Sequence, residues 1–287
     1  MDIDGKGVAK EWRDKIRDEI INCDYRPCLA FILVGNDLPS KTYVRMKERA
    51  CAEVGVLSKP LYFSEDISEL NLLKNINILN NDDTIHGILV QMPLPNHINS
   101  QKIINNIDPN KDVDGFHPTN VGKMVIGEDD CFISCTPFGI IKLLEAYQIN
   151  TKGKHVVIIG RSNIVGKPLA NLLIQKNDKY GNATVTVAHS YTEDLTKICK
   201  TGDILIAAIG KPNAITIDMV KSGAVVIDVG INYVQNKIVG DVDYDNVSKI
   251  CSLITPVPGG VGPMTIAALL HNTLQSCKKK NLNFLHN

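Results

Sequence analysis

The chain has 287 residues, 44% hydrophobic and 22% charged, a balance that supports one large packed domain or two of ordinary size. Lys plus Arg and Asp plus Glu each number 31, so the formal net charge is zero. That speaks against a nucleic-acid partner or an anionic membrane surface, and it is compatible with a homo-oligomer.

The first residues, Met1-Asp2-Ile3-Asp4-Gly5-Lys6, are polar and acidic, without a signal-peptide core or transit character. Val8, Trp12, Ile16 and Ile20 recur every four positions and predict a helix from Val8 to Ile21. Cys28 to Val34 is a short apolar run stopped by Gly35-Asn36-Asp37, hence a buried strand and a turn. Ser40 to Val54 reads as a helix capped by Ser40 and ended by Gly55. Leu61-Tyr62-Phe63 is a second strand, Leu70 to Leu79 a helix, and Ile85 to Gln91 a third strand halted by Met92-Pro93-Leu94-Pro95. This alternation favours a parallel sheet.

From Asp108 to Pro137 the rhythm breaks into an irregular stretch suited to an inter-domain or active-site segment. Phe138 to Tyr147 makes a short helix, after which the pattern restarts. His155–Ile159, Ala183–Ala188, Ile204–Ile209 and Ala224–Val229 read as strands and Val165–Gln175 as a helix, together a doubly wound unit. Thr265 to Cys277 is an amphipathic helix that folds back on the first domain, and Lys278-Lys279-Lys280 reads as a solvated end. The fold expected is α/β in two domains. Residues 1–122 with 266–287 form an α/β substrate domain completed by the C-terminal helix, and residues 123–265 form a Rossmann-like dinucleotide-binding domain.

The eight cysteines (Cys23, Cys28, Cys51, Cys131, Cys135, Cys199, Cys251, Cys277) show no C-x-x-C pair and no zinc spacing, which indicates buried thiols in a reducing compartment. No apolar run approaches the roughly 18 residues that span a bilayer. A cytoplasmic location is expected. The carboxylates and histidines lack metal-ligand spacing, so no metal is expected.

The strand ending at Ile159 runs into Gly160-Arg161-Ser162-Asn163-Ile164-Val165-Gly166-Lys167-Pro168. A strand, a glycine turn and a helix start give a pyrophosphate close backbone approach and free N–H groups. Ser162 stands at the second glycine position, so the pattern is not G-x-G-x-x-G, and a tight turn without a ligand remains the alternative. The next strand ends in His189-Ser190, where an NAD enzyme usually carries an acid for the ribose hydroxyl. Arg161 and Ser190 can hold a 2′-phosphate instead, which leans to NADP. The glycines at Gly210 and in Val229-Gly230-Ile231-Asn232 also lie at carboxyl ends of strands, where ligands meet open sheets or where a turn simply needs them.

Tyr43 and Lys47 share a helical face, a pairing that serves proton transfer or plain surface packing. Gln91 places an uncharged amide at a strand end. In Lys111-Asp112-Val113-Asp114-Gly115-Phe116-His117-Pro118, Asp114 can fork to an amino-pyrimidine edge, whereas Asp112 reads as a turn acid and His117 as structural.

Taken together, these residues resemble the bifunctional methylenetetrahydrofolate dehydrogenase/methenyltetrahydrofolate cyclohydrolase family over nearly the whole chain. The resemblance rests on five motifs in order: Tyr43-Val44-Arg45-Met46-Lys47, Gly87 through Pro95, Lys111 through Gly115, Gly160 through Pro168, and Thr255 through Thr265. It implies Lys47 as the catalytic lysine, supported by Gln91 and Tyr43, and Asp114 as the anchor for the pterin ring. It also implies Pro258, Gly259 and Gly260 as a loop on the folate side, and Gly160, Arg161, Ser162, Ser190, Gly230 and Ile231 as contacts to NADP. The implied reaction is oxidation of methylenetetrahydrofolate followed by hydrolysis to 10-formyltetrahydrofolate in a homodimer. Ser134 before Cys135, and Phe138, depart from the family's common Pro and basic residue. The alternatives are a monofunctional NAD-dependent dehydrogenase, which Arg161 and Ser190 oppose, and an inactive dinucleotide-binding regulator, which Lys47 and Asp114 oppose. A shikimate-type dehydrogenase shares the layout but does not predict the Pro-Val-Pro-Gly-Gly-Val-Gly-Pro run.

Overall fold

Cys28–Val34 and Ile204–Ala207 carry no charged residue, and each becomes an inner member of a parallel sheet with every residue buried. The computed structural model describes residues 1–23, 25–235 and 237–285. It divides into two units: Glu11–Ile133 with Ile266–Asn287, and Met1–Lys10 with Ser134–Thr265. The division falls inside the first and the last helix.

The three-stranded unit holds the second half of α1 (Gly5–Ile21), then β1 (Cys28–Val34), α2 (Leu38–Val54), β2 (Leu57–Phe63), α3 (Glu69–Asn80), β3 (Gly87–Val90), α4 (Ser100–Asn105) and α5 (Pro118–Ile126). Its sheet is parallel in the order β2-β1-β3. Ala30, Ile32 and Val34 of β1 pack with Ile88 and Val90 of β3 against Leu72, Ile76 and Leu79 of α3, one apolar layer over one helical stripe.

The five-stranded unit continues with α6 (Cys135–Ala146), β4 (His155–Ile159), α7 (Gly166–Ile174), β5 (Thr184–Ala188), α8 (Leu195–Cys199), β6 (Ile204–Ala207), β7 (Val225–Asp228), the hairpin strands β8 (Asn232–Val234) and β9 (Lys237–Val239), α9 (Tyr244–Val247) and β10 (Leu253–Ile254). The parallel order β10-β7-β6-β4-β5 reverses at β4, so the crevice beyond the ends of β4 and β6 is the topological switch point of a doubly wound sheet. The last helix, α10 (Val261–Leu285), supplies Ile266 onward to the three-stranded unit.

Several details differ from the sequence reading. The stretch Asp108–Pro137 is not wholly irregular. It contains α5, whose start is capped by His117 (Thr119 N donates to Nδ1, 3.1 Å) and whose end is the left-handed Gly127. The change of unit comes after Ile133 rather than after residue 122, because residues 123–133 stay tied to α5, Phe132 N donating to Asn120 Oδ1 at 3.3 Å. Residues 1–10 belong with the five-stranded unit, because Asp2 bridges Ile254 and Ile3 N donates to Ile254 O at 2.7 Å. Asp37, not Ser40, caps α2: its carboxylate accepts from Ser40 N at 2.9 Å and Ser40 Oγ at 2.7 Å. The lysine run is also no solvated end. Lys278 pairs with Glu19, Lys279 with Asp130 at 2.5 Å and Lys280 with Asp83 at 2.6 Å, so the three fasten α10 to its own unit.

Among the described residues, no helix is long and apolar enough to cross a membrane. Cys23, Cys28, Cys51, Cys131, Cys199, Cys251 and Cys277 are free thiols, and burial pushes Cys51 and Cys277 up to about 12, so they behave as small apolar side chains.

Candidate functional site

In the three-stranded unit two candidate groups, Lys47 and Gln91, meet at the carboxyl end of the sheet. Lys47 lies on the third turn of α2 and Gln91 directly follows β3, where its N–H still donates to Ile32 O of β1 at 2.9 Å. The Gln91 amide is held by its own neighbour: Nε2 donates to Met92 O at 2.8 Å, which fixes the carbonyl end outward. Lys47 Nζ donates to that Oε1 at 3.1 Å. Both side chains are half-buried, and Tyr43 lies half-buried one turn earlier on the same helical face. The structure therefore brings Lys47 and Gln91 into contact and sets Tyr43 beside them. On another side of the helix, desolvation and then Glu48 push the Tyr62 phenol up while Arg45 opposes them, so the helix presents different charges to different sides.

Asp114 is half-buried on a loop clamped from three directions. Upstream, buried Lys111 donates to Leu79 O, Asn80 O and Asp82 O at 2.7–2.8 Å, satisfying the carbonyls that α3 leaves open at its end. Downstream, buried Asp112 accepts from Phe116 N, His117 N and Asn120 Nδ2 at 3.2, 2.8 and 2.9 Å. Desolvation raises the Asp112 carboxyl to about 6 despite those donors. From α10, Asn272 Nδ2 donates to Val113 O at 2.9 Å. Lys111, Asp112 and Asn272 thus hold the backbone around Asp114, and none of the three was singled out as a site group from sequence.

In the five-stranded unit Gly160 closes β4 at φ +125°, and a Cβ there would stand 2.1 Å from Ala208 O beyond β6. A Cβ on Gly166 would stand 2.1 Å from Gly160 O, so only glycines allow this turn between the switch-point strands. The first N–H groups of α7 are not left open as expected. Ser162 Oγ accepts from Val165 N at 3.1 Å and Gly166 N at 3.4 Å, and Ser162 O accepts from Lys167 N at 3.1 Å. With its lone pairs so engaged, the exposed Ser162 hydroxyl keeps its hydrogen for an outside acceptor such as a phosphate oxygen.

Arg161 and Ser190 are exposed at the ends of β4 and β5, and the first residues after β5, His189 to Thr192, include no carboxylate. Among the described residues, Arg161 takes part in no ion pair. An unpaired guanidinium, a hydroxyl and a glycine cradle fit a dinucleotide with a 2′-phosphate.

Gly230 is buried and its N–H donates inward to Asp228 Oδ1 at 2.9 Å, while the neighbouring Ile231 side chain is 42% exposed. What fixes this loop is a pair of buried acids that sequence reasoning passed over. Asp241 accepts from three consecutive N–H groups, Ile209, Gly210 and Lys211, at 2.7–2.9 Å, and from Asn232 Nδ2 at 2.9 Å. Asp228 accepts from Gly230 N, Asp241 N and Val242 N, each at 2.9 Å, and burial raises its carboxyl to about 6. The two Asp-Val pairs, Asp228-Val229 beside Gly230 and Asp241-Val242 beside Gly240, were the one available signal. In the Pro258-Gly259-Gly260 turn, Pro258 is exposed and Gly259 has φ +117°. Gly260 is buried, with its carbonyl so near Gly5 that a Cβ on Gly5 would stand 1.9 Å away.

Comparison with known proteins places the change of domain in the same segment, between residues 114 and 134. Residues 3–114 match the catalytic domain of tetrahydrofolate dehydrogenase/cyclohydrolase, and residues 134–281 match its NAD(P)-binding domain. The chain is 55% identical to the bifunctional protein FolD of Chlorobium chlorochromatii, with 97% of this chain and 98% of that protein aligned. It superposes on the crystal structure of the Campylobacter jejuni FolD dehydrogenase/cyclohydrolase with a TM-score of 0.93 at 48% identity, covering 97% and 99% of the two chains. The Trypanosoma brucei FolD structure, complexed with NADP cofactor and an inhibitor, gives 0.92 at 36% identity, covering 97% of each chain. The chain, with its glycine cradle and its lysine–glutamine pair, belongs to the tetrahydrofolate dehydrogenase/cyclohydrolase family.

Proposed function

We propose that this chain oxidises 5,10-methylenetetrahydrofolate with NADP and hydrolyses the methenyl product to 10-formyltetrahydrofolate, with Lys47, Gln91 and Tyr43 as the catalytic group. The observation that carries the second half is the Lys47–Gln91 contact at 3.1 Å at a sheet's carboxyl end. When bound, NADP supplies the hydride acceptor, and the N10 lone pair of the folate helps expel the hydride without a protein acid. The residues therefore matter most to hydrolysis. Water adds to the methenyl carbon and gives one proton to the Lys47 amine. As the carbon–N5 bond breaks, Lys47 returns that proton to N5, and the remaining hydroxyl proton leaves to solvent as the formyl C=O forms. Gln91 keeps the lysine aimed through both transfers, and Tyr43 closes the same face. Asp114, held by its clamps, accepts the paired N–H donors of the pterin. Pro258, Gly259 and Gly260 line the folate side, and Gly160, Arg161, Ser162, Ser190, Gly230 and Ile231 hold the nucleotide.

The same reading takes the protein to be a cytoplasmic homodimer joined through the five-stranded unit. Free thiols support the first part. Edge strand β5, Thr-Val-Thr-Val-Ala with Val187 37% exposed and no charge to blunt it, supports the second. Absorbance of the purified protein with methylenetetrahydrofolate and each nucleotide tests the function. Reduction of NADP in preference to NAD, ending in 10-formyltetrahydrofolate, is expected. Reduction of neither nucleotide would remove the substrate assignment.

A further inference from the structure

The end of β5 carries an aromatic side chain that neither the fold nor the reaction explains. Tyr191 is 82% exposed, so burial does not account for it. Its position is nevertheless defined. Tyr191 N donates to His189 Nδ1 at 3.2 Å, and the two rings meet edge to face with centroids 6.4 Å apart. His189 N in turn donates to Thr192 Oγ1 at 2.8 Å and Thr192 N to His189 O at 2.9 Å, which closes the turn containing Ser190. The Arg161 guanidinium lies over the Tyr191 ring, 5.8 Å from its centroid, within the roughly 6 Å reach of a cation–π contact.

We infer that Tyr191 is a specificity-determining residue for the nucleotide: its ring holds Arg161 beside Ser190, so that the chain prefers a 2′-phosphorylated ribose. This rests on the NADP reading given above. An exposed arginine without a carboxylate partner samples many rotamers, and ordering it costs affinity when an anion arrives. A ring within cation–π reach of the guanidinium leaves its N–H edge open while restricting its direction, so the planar fork is biased before the phosphate binds. The ring itself carries no charge to compete for that fork. The effect is confined to ligands with a 2′-phosphate, which separates it from the other use of an exposed tyrosine, stacking on the adenine common to both nucleotides.

The test is calorimetric titration of the whole protein with 2′,5′-ADP and with 5′-AMP, for wild type, Tyr191→Leu, Tyr191→Phe and Arg161→Met. Wild type is expected to bind 2′,5′-ADP more tightly. Tyr191→Leu is expected to weaken 2′,5′-ADP by about 2- to 5-fold while 5′-AMP is unchanged, and Tyr191→Phe to stay with wild type. In the Arg161→Met background the leucine substitution is expected to add nothing. If Tyr191→Leu weakens both ligands equally, or neither, the inference fails while the NADP reading stands. If wild type does not distinguish the two ligands, the NADP reading fails and the inference with it. Tyr191 is too exposed for the leucine variant to threaten folding.

Discussion

The two sheets of this chain end in sites built on different plans. In the three-stranded unit the groups proposed for catalysis are side chains, and side chains hold them: Lys47 donates to Gln91, while Lys111, Asp112 and Asn272 clamp the loop of Asp114. In the five-stranded unit the groups proposed to meet the nucleotide are largely backbone. Glycines let strands and turns approach, and the buried acids Asp228 and Asp241 gather the N–H groups of the loops beyond β6 and β7. Proton transfer needs a particular functional group at a particular spot, whereas a nucleotide needs a shaped, polar surface along its length.

The sharpest way to break this comparison is to remove the acid that shapes the second site. Asp241→Ala leaves three backbone N–H groups and the Asn232 amide without their acceptor. A loss of about 2–4 kcal/mol in denaturant unfolding is expected, together with weaker nucleotide binding. An unchanged midpoint would mean that the loops hold their shape without it.

Acidification should separate the units next. The Asp228 carboxyl is raised from 3.8 to about 6, so its stabilising contribution is fully present below its unfolded value and is lost as pH rises through about 6. Between pH 7 and pH 5 the five-stranded unit should therefore gain about 1 kcal/mol. In the three-stranded unit Asp112 is raised in the same way to about 6, but buried His86 is lowered from 6.5 to about 4 by desolvation, and its contribution is lost as pH falls through that range. The two nearly cancel. Amide hydrogen exchange, read unit by unit at pH 7 and pH 5, checks the difference. Equal change in both units would contradict it.

The smallest effect concerns the lysines of α10. Their partners are exposed, Asp83 by 85%, so replacing Lys278, Lys279 and Lys280 together by alanine should cost no more than about 1–2 kcal/mol, and less at high salt. A thermal melt in low and high salt measures it.

How much could be read beforehand follows the same divide. β1 and β4 appear at their true boundaries because an uninterrupted apolar run ended by glycine has only one good reading. Lys47, Gln91 and Arg161 stand out in the sequence by their side-chain chemistry, and the structure joins the first two in a hydrogen bond. α5 was hidden: Pro118 at its start and Gly122 within it look like turn residues, although proline is well placed in a first helical turn. Asp37 lost the cap of α2 to Ser40 in the reading because Leu38-Pro39 separates it from the apolar pattern. Asp228 and Asp241 were missed for a deeper reason. Their partners are backbone N–H groups brought together by positive-φ and crossover geometry, and no side-chain pattern in the sequence reports where a backbone donor will be.

The central claim is that one lysine serves the hydrolysis while the oxidation proceeds without a protein acid. Time-resolved absorbance of wild type and Lys47→Met, supplied with methylenetetrahydrofolate and NADP, tests it most directly. The account predicts that the variant still reduces NADP but accumulates the methenyl form, with hydrolysis slowed by about 100-fold or more. A folded variant that hydrolyses the methenyl form at the wild-type rate would contradict it.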